Sequence, residues 1–302
     1  MKVLVTGGTG FLGRRVVAAL TEHGHRAVVV SRGTDNPWNT DAVELVRSDP
    51  TRPGPWQTML GTCDAVINLA GAPIVDPPHR WTETRKLQIR ESRLETTRCI
   101  VDAFRHVETP PAVFVSASAV GYYGSRGDRK LDETAPAGDD FLARLCIEWE
   151  EAARGAADIT RVTLLRTGIA LGAGGGALHS MLTPFRLGVG GPWGAGTQWW
   201  SWIHVADVVG LILLALERDL PGAVNAVAPN PVTVNEFAKT LGSVLSRPAV
   251  ARVPEFALRL ALGEAAEAML ASQRVVPRRA LDVGYAFQYP ELRPALEAAL
   301  HA

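Results

Sequence analysis

The amino-acid sequence predicts an α/β fold: a Rossmann-type doubly wound parallel sheet with a smaller C-terminal subdomain. Three observations carry this expectation. The short apolar run Val3-Leu4-Val5 is followed at once by spaced glycines, in Thr6-Gly7-Gly8-Thr9-Gly10-Phe11-Leu12-Gly13. Phe11, Leu12, Val16, Val17 and Leu20 then recur at helical spacing, so the glycines fall where a strand turns into a helix. Apolar runs of strand length alternate with helical stretches as far as Arg166, the pattern of a parallel sheet wrapped by helices.

The glycine-rich turn is the first element that carries chemistry. Gly7 permits a tight turn, Gly10 lets the backbone approach a pyrophosphate, and Gly13 lets the helix pack closely on the strand. Free N–H groups at the helix start face the phosphates. The motif is specific because of its context: a strand precedes it, and a second strand, Arg26 to Ser31, follows at the expected distance. A site for NAD places an acid at the end of that second strand, about 20 residues past the glycines, to hold the ribose hydroxyls. Here Val30-Ser31-Arg32-Gly33 offers a hydroxyl and a guanidinium, which suit a 2′-phosphate. Asp35 stands a few residues on as a displaced acid. The expected cofactor is NADP(H) rather than NAD.

Composition narrows the class. At 302 residues the chain can bury a large core, as one big domain or two modest ones. Its 31 Lys and Arg balance 31 Asp and Glu, which argues against a nucleic-acid or membrane-surface role. Three cysteines, Cys63, Cys99 and Cys146, stand far apart with no CxxC pair, which fits a reducing compartment and no zinc site. The first strand starts at residue 2 and leaves no room for a leader. The most apolar run, Val208 to Leu216, is too short to span a bilayer. The expectation is a soluble cytoplasmic protein, monomer or homodimer, acting on a small molecule without a metal.

Along the chain, Ala42 to Val46 reads as a third strand and Pro50 to Pro55 as punctuation. Asp64 to Leu69 is a strand leading into Ala70-Gly71, a small-residue turn where a cofactor would cross the strand ends. Trp81 to Arg105 reads as a long helix; Arg93 within it points either at the cofactor or into solvent. The strand Ala112 to Ser118 ends in hydroxyls and runs into Ala119-Val120-Gly121-Tyr122-Tyr123-Gly124, polar groups at the crevice end of the sheet. Phe141 to Arg154 is helical and Thr160 to Arg166 is a strand.

Beyond Arg166 the character changes. Gly168, Gly172, Gly174, Gly175 and Gly176 make a flexible turn into a helix, Ala177 to Leu187. A glycine-rich loop (188–196) then meets Gln198-Trp199-Trp200-Ser201-Trp202. Two readings are open for these tryptophans: the wall of a substrate pocket, or filling between the sheet and the C-terminal segment. His204 and Asp207 precede the apolar helix Val208 to Glu217 and read as capping residues before catalytic ones. Ala223 to Ala228 is a late strand and Asn235 to Leu245 a helix. Phe256 to Gln273 is amphipathic, with Leu258, Leu262, Ala265, Ala266 and Met269 on one stripe. Residues 1–170 are expected to form the NADP-binding domain, with 197–230 returning to it, and 171–302 a substrate-side and C-terminal helical region.

Taken together, these residues resemble the extended and atypical short-chain dehydrogenases/reductases. Within them the chain is similar to the nucleoside-diphosphate-sugar epimerase-like "epimerase family" branch, whose C-terminal end is a domain of unknown function. The resemblance spans essentially the whole chain. It rests on TGGTGFLG (6–13), VSR (30–32), NLAG (68–71), SRLETT (92–97), SASAVGYYG (116–124), Trp149-Glu150, LRTGIALG (165–172), WIHVAD (202–207) and SQRVVP (272–277). It implies NADP(H) binding through Gly7, Thr9, Gly10, Phe11, Leu12, Gly13, Ser31, Arg32, Leu69, Ala70 and Arg93.

The chemistry departs from that superfamily, which uses a Tyr as acid/base, a Lys four residues on to lower its pKa, and a Ser to orient the substrate oxygen. None of the four tyrosines, Tyr122, Tyr123, Tyr285 and Tyr289, has a Lys at the fourth position after it. Phe141 and Leu145 stand where the pair should be, while Ser118 keeps the place of the Ser. One reading is an NADP(H)-dependent oxidoreductase or epimerase acting on a small carbonyl or sugar-like ligand, with Ser118, Tyr122 and Tyr123 as candidate catalytic residues. Arg126, four past Tyr122, would then lower the phenol's pKa. The alternative is a binding or regulatory protein that keeps the cofactor and has lost the chemistry.

Overall fold

The computed structural model describes residues 1–34, 36–38, 40–76 and 80–301, so Asp35 lies outside the described residues. The first half alternates as β1 (Lys2–Thr6), α1 (Phe11–Glu22), β2 (Arg26–Ser31), β3 (Val43–Arg47), β4 (Ala65–Asn68), α2 (Glu83–Phe104), β5 (Val113–Ala119), β6 (Lys130–Leu131), α3 (Phe141–Arg154) and β7 (Arg161–Thr167). There follow β8 (Ile169–Leu171), α4 (Gly176–Arg186), β9 (Trp199–Trp200), β10 (Trp202–His204), α5 (Val205–Glu217) and β11 (Gly222–Ala226). The chain closes with β12 (Val232–Thr233), α6 (Val234–Val244), α7 (Glu255–Leu262), α8 (Glu267–Leu270), β13 (Arg274–Val275), α9 (Arg278–Asp282) and α10 (Leu292–His301).

Seven strands form one parallel sheet in the order β11-β7-β5-β4-β1-β2-β3. The inner strands are buried on both faces, as a sheet covered by helices requires. Period-two alternation sorts their side chains. Val3, Val5, Val29, Ile67 and Val115 pack with α1 and α5, whereas Leu4, Val28, Val66 and Phe114 pack with α2 residues Ile100 and Phe104. Each such Val or Leu stabilises the fold by roughly 1.5–3 kcal/mol. The strand order reverses at β1, which lies between β2 and β4. Loops after β1, β2 and β4 therefore surround one crevice at the carboxyl ends of the strands.

A separate apolar cluster holds the C-terminal half together, including Trp193, Trp200, Trp202, Phe237, Leu258 and Leu296. Two sequence expectations change here. Phe256 to Gln273 is not one helix: Gly263, at φ +61°, ends α7, and a 3-10 turn (Gly263–Ala266) and α8 follow. The apolar stripe nevertheless survives the break, because Leu258, Leu262, Ala265 and Ala266 all stay buried. The apolar helix begins at Val205 rather than Val208, because His204 Nδ1 caps it by accepting from the Ala206 N–H at 3.2 Å.

Asp207 is not a cap. Fully buried, it accepts from the backbone N–H groups of Gln288 (2.7 Å) and Tyr289 (3.0 Å) and from the Tyr285 hydroxyl (3.2 Å). One carboxylate thus ties the C-terminal segment to the first turn of α5. Among the described residues no helix is long and apolar enough to cross a membrane. Asp207→Ala leaves two inward-facing N–H groups without an acceptor, so it is expected to cost roughly 2–4 kcal/mol. Urea unfolding measures that loss, and limited proteolysis should find new cleavage between residues 283 and 291.

Candidate functional site

The turn after β1 is built from backbone on backbone. Gly7 has φ +71°, and a Cβ on it would lie 2.6 Å from the carbonyl carbon of Leu69 at the end of β4. A Cβ on Gly13 would lie 2.1 Å from the Gly7 oxygen, so α1 can seat on the strand end only because that side chain is missing. Gly10 differs. A Cβ there would meet only the Gly7 oxygen, at 3.2 Å, and otherwise open space. Gly10 also starts α1 without a side-chain cap, which leaves the first N–H groups of the helix free.

Over this turn opens a cleft of about 1090 Å³. Of the residues the sequence singles out for the cofactor, Gly7, Thr9, Gly10, Ser31, Arg32, Leu69, Ala70 and Gly71 line it. Phe11, Leu12, Gly13 and Arg93 do not. Phe11 packs against the loop at Gly172, Gly175 and Gly176, and Arg15 lies 4.6 Å above its ring. Leu12 packs into the core and Gly13 is buried in the helix–strand contact. Arg93 sits behind Gly71: its Cζ is 3.0 Å from where a Gly71 Cβ would be. There its Nη1 donates to the Ile89 oxygen at 3.0 Å, and its guanidinium lies 5.3 Å from the Trp149 ring. Burial pulls its pKa down to about 10.

Sequence reasoning missed several lining residues, among them Arg14, Asp49, Thr51, Arg52 and Ser92. Asp49, Thr51 and Arg52 follow β3 beside Arg32. Burial works against the Asp49 charge, but hydrogen bonds from Thr51 and the positive charges of Arg32 and Arg52 win and hold its pKa below the usual carboxylate range. The only sequence signal was the run Ser48-Asp49-Pro50-Thr51-Arg52, which reads as turn punctuation. Among the described residues, no group of three or more His, Cys, Asp or Glu is arranged to hold a metal ion.

The three hydroxyls proposed for proton transfer lie at the end of β5 but have different surroundings. Register places Ser118, Arg166 and Asn225 in a row across β5, β7 and β11. Above that row α3 contributes Glu150, whose carboxylate takes two bonds from Arg166 (Nε 2.7 Å, Nη2 2.8 Å) and one from Arg154 (2.7 Å). Ser118 donates its hydrogen to the same carboxylate at 2.7 Å. The third Arg166 nitrogen donates to the Tyr123 oxygen at 3.0 Å, and the Tyr123 hydrogen goes to Asn225 Oδ1 at 2.7 Å. Burial works against the Arg166 charge, yet Glu150 and Tyr123 more than offset it and raise its pKa. Burial pushes the Tyr123 phenol up to about 12, against the pull of Arg166.

Tyr122 is the exception. Half-buried, it lays its ring 3.4 Å from the Arg166 guanidinium, and its hydroxyl has no hydrogen-bond partner among the described residues. Arg126 does not reach it; that guanidinium binds the carbonyls of Tyr123 and Ala137. Trp200 and Trp202 pack as core, while Trp199 is only partly buried, donating to Asp128 Oδ1 at 2.8 Å with the Arg274 guanidinium 4.0 Å from its ring. Trp193, Trp200 and Phe237 meet edge to face at 4.7–6.4 Å, and the fully buried Trp202 donates to the Asn230 oxygen.

The chain is 43% identical over 300 residues to the mouse epimerase family protein SDR39U1, covering 98% of this chain and 99% of that one. It is 42% identical to the chloroplastic SDR39U1 homolog of Arabidopsis thaliana, covering 99% of this chain and 87% of the relative. The crystal structure of human epimerase family protein SDR39U1 (isoform 2) with NADPH superposes with a TM-score of 0.89 at 39% identity, over 100% of this chain and 99% of the human one. Residues 253–299 match a domain of unknown function, DUF1731. Residues 3–227 match the NAD dependent epimerase/dehydratase family, and the chain belongs to it.

Proposed function

We propose that this chain binds NADP(H) in the cleft over the glycine-rich turn and works as an oxidoreductase or epimerase on a small carbonyl or sugar-like substrate. One observation carries the reading: the same cleft has open space at Gly10, beside the free N–H groups of the helix start, and two arginines, Arg32 after β2 and Arg52 after β3. The first suits a pyrophosphate and the second a 2′-phosphate, which a guanidinium binds in a bidentate way. The NADPH in the human relative's crystal structure supports the same choice. Thr9 and Gly7 would border the phosphates, Ser31 the ribose, and Leu69, Ala70 and Gly71 the strand-end wall toward the nicotinamide. Bound there, NADP(H) would supply a hydride donor or acceptor. The cofactor-binding unit is taken as residues 1–170 together with 197–230. Balanced charge and three buried free cysteines support a reducing, cytoplasmic setting.

For proton transfer the reading assigns Tyr122, whose hydroxyl has no hydrogen-bond partner among the described residues. Ser118 and Tyr123 stand behind it as positioning residues, held by Glu150 and Arg166. A second reading, a cofactor-binding regulatory protein, draws support from the same network, since two of the three hydroxyls are already consumed.

NADPH is expected to bind at least tenfold tighter than NADH, about 1.4 kcal/mol. Calorimetric titration measures this, and Arg32→Ala or Arg52→Ala should each erode the preference while leaving NADH affinity nearly unchanged. Equal affinities in the unaltered protein would remove the 2′-phosphate assignment. The two outer glycines of the turn should separate binding from folding. Gly10→Val is expected to fold and lose nucleotide binding, whereas Gly13→Ala should unfold at markedly lower urea, since its Cβ has only backbone to push against.

A carbonyl and nucleotide-sugar panel with NADPH tests the chemistry. Tyr122→Phe should lower turnover by roughly 100-fold with cofactor affinity kept, the usual scale for a general acid/base. Tyr123→Phe should instead cost about 1–3 kcal/mol of stability, because Arg166 and Asn225 each lose a partner. Full activity in Tyr122→Phe would overturn the assignment, and a panel without turnover would favour the binding protein.

A further inference from the structure

A second cavity, of about 600 Å³, lies between α1, α5 and the segment around Tyr285 and Gln288. It shares no residue with the dinucleotide cleft. Its volume is in the range of small-molecule sites.

One end of this groove holds His204 and Arg15. His204 lines it and is only 8% exposed. Its Nδ1 accepts the Ala206 N–H, so the hydrogen of the neutral ring sits on Nε2. That N–H has no hydrogen-bond partner among the described residues. Asp207 and Arg15 both stand within electrostatic reach of His204; the Asp207 carboxylate is taken up by the N–H groups of Gln288 and Tyr289 and by the Tyr285 hydroxyl, and burial lowers the Arg15 pKa. The bonds of Arg15 run to the carbonyls of Phe11 and Ala173, and no carboxylate pairs with it among the described residues. The start of α5 adds the positive end of a helix.

The walls beyond are apolar: Ala19 from α1 and Val209, Leu213 and Leu214 from α5. The groove follows α5 from Val205 to Glu217, about 18 Å at the helical rise. Glu22 and Glu217 close the far end. They repel a negative group there and favour its placement beside Arg15.

We propose that this groove binds an amphipathic anion, one carboxylate or phosphate head at His204 and Arg15 with an alkyl body along Val209 and Leu213. The head accepts from His204 Nε2–H, and the body covers the wall between α1 and α5. This site stands apart from the cofactor reading and does not depend on it.

Sodium dodecanoate, kept below its micellar concentration, is the probe, and dodecan-1-ol is the uncharged control. Calorimetry should give one saturable dodecanoate site per chain, with dodecanol at least tenfold weaker. His204→Asn keeps an oxygen to cap α5 and removes the ring donor; Leu213→Glu puts a charge in the tail region. Each should weaken dodecanoate at least tenfold and leave NADPH binding, or in its absence the urea midpoint, nearly unchanged. A measurement without variants uses 15N-labelled protein: the amide signals of Ala206, Val209 and Leu213 should follow one dodecanoate curve while those of Thr9, Ser31 and Thr51 stay still. No saturable binding means that His204 meets only water, and overturns the proposal. Equal binding of dodecanol, or shifts confined to the cleft, overturns it as well.

Discussion

Where β1 ends, three pieces of backbone meet without side chains between them. Gly7 turns in the left-handed region against the backbone of Leu69, and Gly13 brings α1 down onto the Gly7 oxygen. The rest of the site depends on this close approach. It fixes the start of α1 over the point where the strand order reverses, and it holds the loops after β2 and β4 on either side of one crevice. A side chain at Gly13 would lift the helix, and the floor of the cleft would go with it. Phe11 extends the contact outward, since its ring fills the space left by Gly175 and Gly176.

The parts of this architecture written in local pattern were legible from the sequence. The glycine turn, the alternation of strands and helices, and the bounds of α3 follow from period and spacing. Features fixed by tertiary register were not. Arg52 is a turn residue in sequence, and only the β2–β3 pairing sets it beside Arg32. Asp207 reads as a helix cap until the C-terminal segment folds back to offer its N–H groups. Phe256 to Gln273 carries an unbroken apolar stripe, so periodicity alone could not find the break that Gly263 makes.

Arg93 shows a middle case. The sequence offered two fates for it, cofactor ligand or solvated helix charge, and the structure gives it a third. It is buried under Gly71 against Trp149, where it shapes the cleft wall without lining it. The tryptophan cluster divides: Trp200 and Trp202 fill the C-terminal core, with Trp200 against Trp193 and Phe237, while Trp199 stays partly exposed beside Asp128 and Arg274.

The hydrogen bonds at the end of β5 constrain which hydroxyls there can still donate a hydrogen. A buried ion pair is stable only when its remaining lone pairs and hydrogens are matched. Glu150 meets that condition with four donors, and Arg166 with Glu150 and Tyr123. Matching the pair fixes the direction of every hydrogen around it. Ser118 gives its only hydrogen to Glu150, so its oxygen has lone pairs alone to offer any other neighbour. Tyr123 gives its hydrogen to Asn225 and takes one from Arg166. Neither group can donate to a further acceptor without breaking an existing hydrogen bond, charge-assisted for Ser118 and neutral for Tyr123. Tyr122 holds its ring against the same guanidinium, and among the described residues its hydroxyl has no hydrogen-bond partner. The ion pair at the sheet end therefore fixes two of these three hydroxyls and leaves the third, on Tyr122, outside its network.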